Sequence, residues 1–281
     1  MSVRVSHLQP PSGFSLSEAA LSHGWRSVRP YRWDGDRAVL SRVDREGAVS
    51  IEQRADGCLA IEHASSDSRA LERVRVVLDL RTDLSEFHEA CAGHPTLDWV
   101  PKKGAGWVLR GLDAWEDAGK AICFTNIAWR QAARCIDRLG EAAPGPFWPD
   151  PSDVLGLGEN WLRETVRVGY RAPYLIALAE GFETGRFSRE STQRKEFQAM
   201  PGIGPSTAAY LAGMWGHWEE ISFDSSIASL LRKRDGIVEP VAADAQKRYE
   251  PFGALAGLAC LLDLHGWVRG LSSTESTGSS C

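Results

Sequence analysis

Three short stretches hold residue types that can do chemistry together. In Glu220-Ile221-Ser222-Phe223-Asp224-Ser225-Ser226-Ile227, one carboxylate sits between apolar residues just ahead of a helix, eighteen positions beyond Ser206. A carboxylate held against a reacting centre stabilises developing positive charge, and it can orient or deprotonate a water. The head of a helix suits it, because N–H donors and the helix dipole favour negative charge there. The commonest job of an aspartate in that place is to cap the helix, and the two roles are not exclusive.

The second stretch runs Glu196-Phe197-Gln198-Ala199-Met200-Pro201-Gly202-Ile203-Gly204-Pro205-Ser206-Thr207-Ala208-Ala209-Tyr210-Leu211. It reads as a helix, a Pro-Gly-Ile-Gly turn and a second helix opening at Pro205, where a fixed φ and a missing N–H do no harm. Two glycines let the backbone approach a guest, and Gly202, Ile203, Gly204, Ser206 and Thr207 offer N–H groups and hydroxyls at a helix end, which suits a phosphate. Taken alone, such a turn is also an ordinary helical hairpin. The third stretch, Gly169-Tyr170-Arg171-Ala172, presents a tyrosine and an arginine on a glycine turn. Eleven tryptophans are an unusual number. Most such residues anchor cores, but Trp25, Trp115, Trp129 and Trp215 stand close enough to the motifs to offer flat faces to a ring.

In this order the motifs resemble the helix-hairpin-helix (HhH-GPD) DNA glycosylase superfamily, over roughly Leu112 to Trp267. The N-terminal part is similar to the 3-methyladenine glycosylase II and 8-oxoguanine glycosylase branches. The resemblance implies excision of a damaged base from double-stranded DNA by a monomer, with Asp224 beside C1′ of the sugar. Members that also cleave the backbone carry a lysine two residues after the second turn glycine, where an amine attacks C1′. Here that residue is Ser206, which implies a monofunctional enzyme using water. Tyr170 and Arg171 correspond to residues that wedge into the duplex when the base flips out. Asn126 sits where relatives place a polar residue against the opposite strand, and it serves equally as a helix cap. Lys195 precedes the turn as a phosphate contact or a solvated charge. Electron-poor alkylated bases stack well on indole, so an alkylated base is the favoured substrate and an oxidised or deaminated purine the next. A damage-sensing module without catalysis, a lyase using another amine, and a helical protein with an accidental hairpin are the competing readings.

Some patterns depart from the family. Only Cys260 and Cys281 lie beyond Asp224, so the four-cysteine iron–sulfur cluster of the endonuclease III branch is not expected. The Gly-Gln-x-Phe-x-Trp pattern of the 8-oxoguanine branch has only a loose counterpart in Gly24-Trp25-Arg26-Ser27-Val28-Arg29-Pro30-Tyr31-Arg32-Trp33. The family suggests a monovalent cation on the turn carbonyls, which no side chain marks. No metal or cofactor is expected for the chemistry.

The elements that must position these groups follow from pattern. The chain has 281 residues, 43% hydrophobic and 25% charged, with net charge −5, as for a globular protein that does not coat nucleic acid indiscriminately, although a local basic face remains compatible. No apolar run approaches the roughly 18 residues of a membrane span, the N-terminus lacks a secretory pattern, and six scattered cysteines fit a reducing compartment. A cytoplasmic, nucleoid-associated or nuclear setting is therefore expected. Period-two alternation from Trp25 to Leu80 (Ala38, Leu40; Val49, Ile51; Leu59, Ile61; Val74, Val76, Leu78, Leu80) predicts antiparallel strands, and the stretch from Gly13 to His23 reads as strand or helix. Helical spacing follows Asp83: 114–124, 127–139, 161–168, 173–182, 190–200, 205–215, 225–234 and 242–264. The expected fold is α+β, mostly α. It comprises an N-terminal antiparallel β layer (residues 1–82), an all-helical body (83–271) with its helix-hairpin-helix at 190–216, and a disordered tail (272–281).

Overall fold

A computed structural model of the chain describes residues 2–142 and 145–271, so the tail expected at 272–281 lies outside the described residues. A five-stranded antiparallel sheet opens the fold and helices follow it. The strands are β1 (Val3–Leu8), β2 (Tyr31–Asp34), β3 (Val39–Asp44), β4 (Gly47–Gln53) and β5 (Leu59–Ala64), in spatial order β1-β5-β4-β3-β2. Leu40 pairs with Ile51 and Ile51 with Ile61, so one fully buried row crosses three strands. That row is what period-two alternation produces on a half-buried sheet.

Two segments near the sheet depart from the pattern. Val3–Leu8, unassigned by its sequence, pairs with β5 along its whole length. Val74 to Leu80, expected as a strand, lies mostly in helix α2 (Ala70–Val77). Its buried residues are Ala70, Arg73, Val74 and Val77, a three-and-four spacing hidden under a local run of alternating valines. The ambiguous stretch before His23 forms α1 (Leu16–Leu21), because the Ser15 hydroxyl accepts the Glu18 N–H and caps it.

Two short helices, α3 (Ser85–Cys91) and α4 (Trp99–Lys103), lead to α5 (Ala114–Phe124), α6 (Trp129–Ala142), α7 (Pro151–Trp161) and α8 (Ala172–Glu183). The helix expected at 161–168 is displaced: Pro151 starts α7 early, and Leu162–Val166 is a wide turn that closes it. Then come α9 (Arg194–Gln198), α10 (Pro205–Met214), α11 (Ser225–Asp235), α12 (Ala242–Tyr249) and α13 (Ala256–Arg269). The stretch from Ala242 to Arg269 is long and apolar enough for a membrane span by length and composition alone, contrary to the sequence reading. It is interrupted at Glu250–Leu255, where Gly253 takes φ 53° and ψ −122°, and α13 buries Leu258, Ala259, Cys260 and Leu262.

A buried charge network joins the sheet to the helices. Arg42 of β3 donates two bonds to Glu116 of α5, at 2.9 and 2.7 Å, and pairs with Asp44 at 2.6 Å. Arg73 of α2 reaches Asp44 at 3.1 Å and Asp67 at 2.7 Å. Lys120 donates to Glu116 from the next turn of α5, and its ammonium lies 4.8 Å from the Trp25 ring and 5.0 Å from that of Tyr31.

Candidate active site

Asp224 is the N-cap of α11. Its Oδ1 accepts the Ser226 N–H at 2.8 Å and the Ile227 N–H at 3.0 Å, while Oδ2 has no hydrogen-bond partner among the described residues. The carboxylate is therefore oriented by the helix and keeps one oxygen open. It lines a recess of about 90 Å³ together with Tyr210, Trp218, Ile227, Leu261 and Leu264. Burial, with the Asp117 and Asp224 carboxylates adding to it, pushes the Tyr210 hydroxyl above the usual phenol range, so Tyr210 stays a neutral donor.

The hairpin is tied to the segment that leads into this carboxylate. The hydroxyls of Ser206 on α10 and Ser222, two residues before Asp224, share a hydrogen bond of 3.1 Å. The turn between α9 and α10 needs its first glycine, since Gly202 has φ 79° and an added Cβ would lie 3.0 Å from the Tyr174 ring. Among the described residues the N–H groups of Gly202, Gly204, Ser206 and Thr207 have no acceptor, as an anion site at a helix end requires. Ile203 departs from expectation. Its N–H closes the turn on the Met200 carbonyl at 3.3 Å and its side chain is buried, so it anchors the turn and donates nothing outward.

Tyr170 is 49% exposed and stands edge-on to Tyr174, with centroids 6.3 Å apart. Its hydroxyl accepts from the Asn126 side chain at 3.4 Å, so Asn126, itself exposed in a left-handed conformation, stands beside it. Arg171 is a correction to the sequence reading. It is only 5% exposed, and it donates to the carbonyls of Thr125 (2.9 Å), Val168 (3.1 Å) and Asn126 (3.2 Å), with its guanidinium 4.5 Å from the Tyr170 ring. A guanidinium so occupied is turned inward and braces Tyr170 from within.

None of the four chosen tryptophans lines the recess. Trp115 is a core anchor whose N–H is satisfied by the Pro149 carbonyl. Trp215 donates to Asp117 at 2.7 Å under the Arg110 guanidinium. Trp25 is buried beside His23, and Trp129 is exposed but stacked on Phe124. Trp218, Tyr210, Leu261 and Leu264 occupy the position instead. Only Tyr210 carried a signal, four residues after Ser206 on the same helix face. Lys195 is exposed on α9, and no lysine lines the recess. Among the described residues no group of three or more His, Cys, Asp or Glu is placed to hold a metal.

No protein-family model matches the sequence, and no curated protein matches it. Solved structures do. MBOgg1 bound to a low-affinity DNA ligand is 20% identical, with a TM-score of 0.76 over 96% of this chain and 100% of that one. The Clostridium acetobutylicum 8-oxoguanine glycosylase/lyase is 17% identical, with a TM-score of 0.76 over 95% and 98%. The 3-methyladenine DNA glycosylase of Archaeoglobus fulgidus is 15% identical, again with a TM-score of 0.76, over 94% and 99%. The chain thus has the helix-hairpin-helix glycosylase fold, sheet layer included.

Proposed function

We propose that this protein is a DNA glycosylase of base-excision repair that hydrolyses the N-glycosidic bond of a damaged base flipped out of duplex DNA. The observation that carries the reading is Asp224: one oxygen fixed by the head of α11, the other unpaired, at the mouth of an aromatic and apolar recess and two residues from a hydroxyl bonded to the hairpin. As the glycosidic bond breaks, positive charge builds at C1′, and the open carboxylate oxygen stabilises it and positions water. The free N–H groups of Gly202, Gly204, Ser206 and Thr207 hold a phosphate of the same strand, which fixes the sugar against Asp224. Tyr170 props the duplex where the base has left.

The step is hydrolysis without strand cleavage, because Ser206 offers no amine and no lysine lines the recess. An alkylated base fits the apolar lining and the Trp218 face best. The recess has room for about three waters at roughly 30 Å³ each, so a base enters as Tyr210, Leu261 or Leu264 swing aside. The protein acts as a monomer wherever the cell keeps its DNA. A panel of duplex oligonucleotides, each with one lesion, scored for alkali-labile abasic sites, tests activity and substrate together. The reading expects release from an alkylated base and no adduct trapped by borohydride. A trapped adduct overturns the monofunctional assignment, and binding without release from any lesion favours the damage-sensing module.

A further inference from the structure

Beside Tyr170 the molecule has a second feature that the excision chemistry does not use. Arg130, Arg134 and Arg138 follow one another at four-residue intervals on α6, and with Arg167 they line a recess of about 370 Å³ that includes no carboxylate. Among the described residues none of these four arginines pairs with an acid, whereas the neighbouring Arg29 bridges Asp137 and Glu141. The recess is built by contacts between its two walls. The Cys135 thiol lies against the Arg167 carbonyl at 3.4 Å, Arg138 donates to the Val166 carbonyl at 3.5 Å, and Arg167 is held at φ 65°, where a side chain other than glycine is rarely found. In a chain of net charge −5, four unneutralised guanidinium groups in one concavity are a local reversal of sign.

We infer that this recess is a phosphate-backbone site for the strand opposite the damaged one, an assignment that rests on the glycosylase reading above. Contacts order the surface: the hairpin turn at Gly202 touches Tyr174, Tyr174 touches Tyr170, and Tyr170 bonds Asn126, just ahead of the recess wall at Ala128. The arginines therefore lie across the wedge from the hairpin. If the hairpin clamps one strand, the strand on the other side of Tyr170 is its complement. The spacing also fits. Steps of four residues advance about 6 Å along a helix, so the three α6 arginines span about 12 Å. One strand of duplex DNA rises about 3.4 Å per phosphate, so they address about three or four consecutive phosphates. Guanidinium groups grip phosphate oxygens in a fork and carry no sequence preference, as a protein that scans for damage requires.

The test is salt-dependent binding of the full-length protein to a duplex carrying a stable abasic-site analogue, wild type against Arg130→Gln/Arg134→Gln. Loss of two phosphate contacts lowers the slope of log Kobs against log salt by about 2, and low-salt affinity falls roughly tenfold. Arg54→Gln, on an exposed turn of the sheet, has the same charge change as one of these substitutions and leaves the slope unaltered. Neutral methylphosphonates in the strand opposite the lesion weaken the wild type equally and leave the double variant unaffected. An unchanged slope in the double variant, or a loss produced only by methylphosphonates in the damaged strand, overturns the inference. Base release by the wild type from a lesion-bearing duplex, read in parallel in the same buffers, separates this outcome from failure of the glycosylase reading.

Discussion

At the seam between sheet and helices, Arg42, Asp44, Glu116, Lys120 and Arg73 are almost fully buried and each is matched by an opposite charge within 3.1 Å. On the face that carries Asp224, the hairpin turn and Tyr170, the pattern is the reverse. Among the described residues one carboxylate oxygen is unpaired, four amide N–H groups lack acceptors, and an aromatic ring stands half in solvent. A cleft of about 560 Å³ opens on the seam, against about 90 Å³ at Asp224. Volume and unsatisfied polar groups therefore point to different parts of the surface. Charges satisfied by the protein hold it together, and polar groups left unsatisfied at a surface wait for a ligand.

The comparison breaks most visibly at Glu116. Glu116→Gln leaves Lys120 buried without its ion-pair partner and Arg42 with Asp44 alone, and should cost about 3–5 kcal/mol of stability in a urea titration. A loss under 1 kcal/mol would show the seam to be dispensable. Asp117, fully buried, sharpens the same region. Burial and the neighbouring Glu116 push its carboxyl up to about 7. A folded-state value above the unfolded one means that the folded protein holds the proton more tightly. Its stabilisation is complete below about pH 4 and is lost as pH rises through 7. Asp117→Asn should remove this decline, on the order of a few kcal/mol, although its single carbonyl oxygen can accept from only one of the Gly111 and Trp215 N–H groups, which now reach separate oxygens.

Predicted effects on the exposed face are smaller in stability and larger in selectivity. Tyr170→Ala should change the stability read from a urea titration by less than about 0.5 kcal/mol. Base release from duplex DNA should slow roughly 10- to 100-fold, because a few kcal/mol of unstacking is no longer offset, while release from single strands is unchanged. Equal slowing on both substrates would mean that Tyr170 shapes the recess and does not prop the duplex. At the cap, Asp224→Ala should lose about 1 kcal/mol of stability, whereas Asp224→Asn, which still accepts from Ser226 and Ile227, should lose only a few tenths, the smallest effect of the set.

Sequence made the hairpin, the helix after it and the capping aspartate legible because each rests on local rules: a glycine at positive φ, a proline at the first helical position, a side-chain oxygen at an N-cap. Strand β1 was not, since its partner β5 lies more than fifty residues away and nothing within Val3–Leu8 records the pairing. The reading of α2 failed for a related reason, as Val74, Val76, Leu78 and Leu80 alternate locally while burial selects Ala70, Arg73, Val74 and Val77. Arg171 shows the limit at the site. Its motif marks it as a duplex contact, but its fate depends on three carbonyls, those of Thr125 and Asn126 reached only through the fold. The four tryptophans lie away from the recess at Asp224 for a similar reason: distance from a motif along the chain does not say which ring faces that carboxylate.

Single-turnover base release by wild type and Asp224→Asn, on the lesion that the panel selects, tests the central claim most directly, because asparagine preserves the cap and with it the fold. The claim requires release to slow by roughly 10²- to 10⁴-fold with the duplex Kd within a few-fold of wild type. Equal rates for the two proteins would contradict it and move the chemistry to another residue.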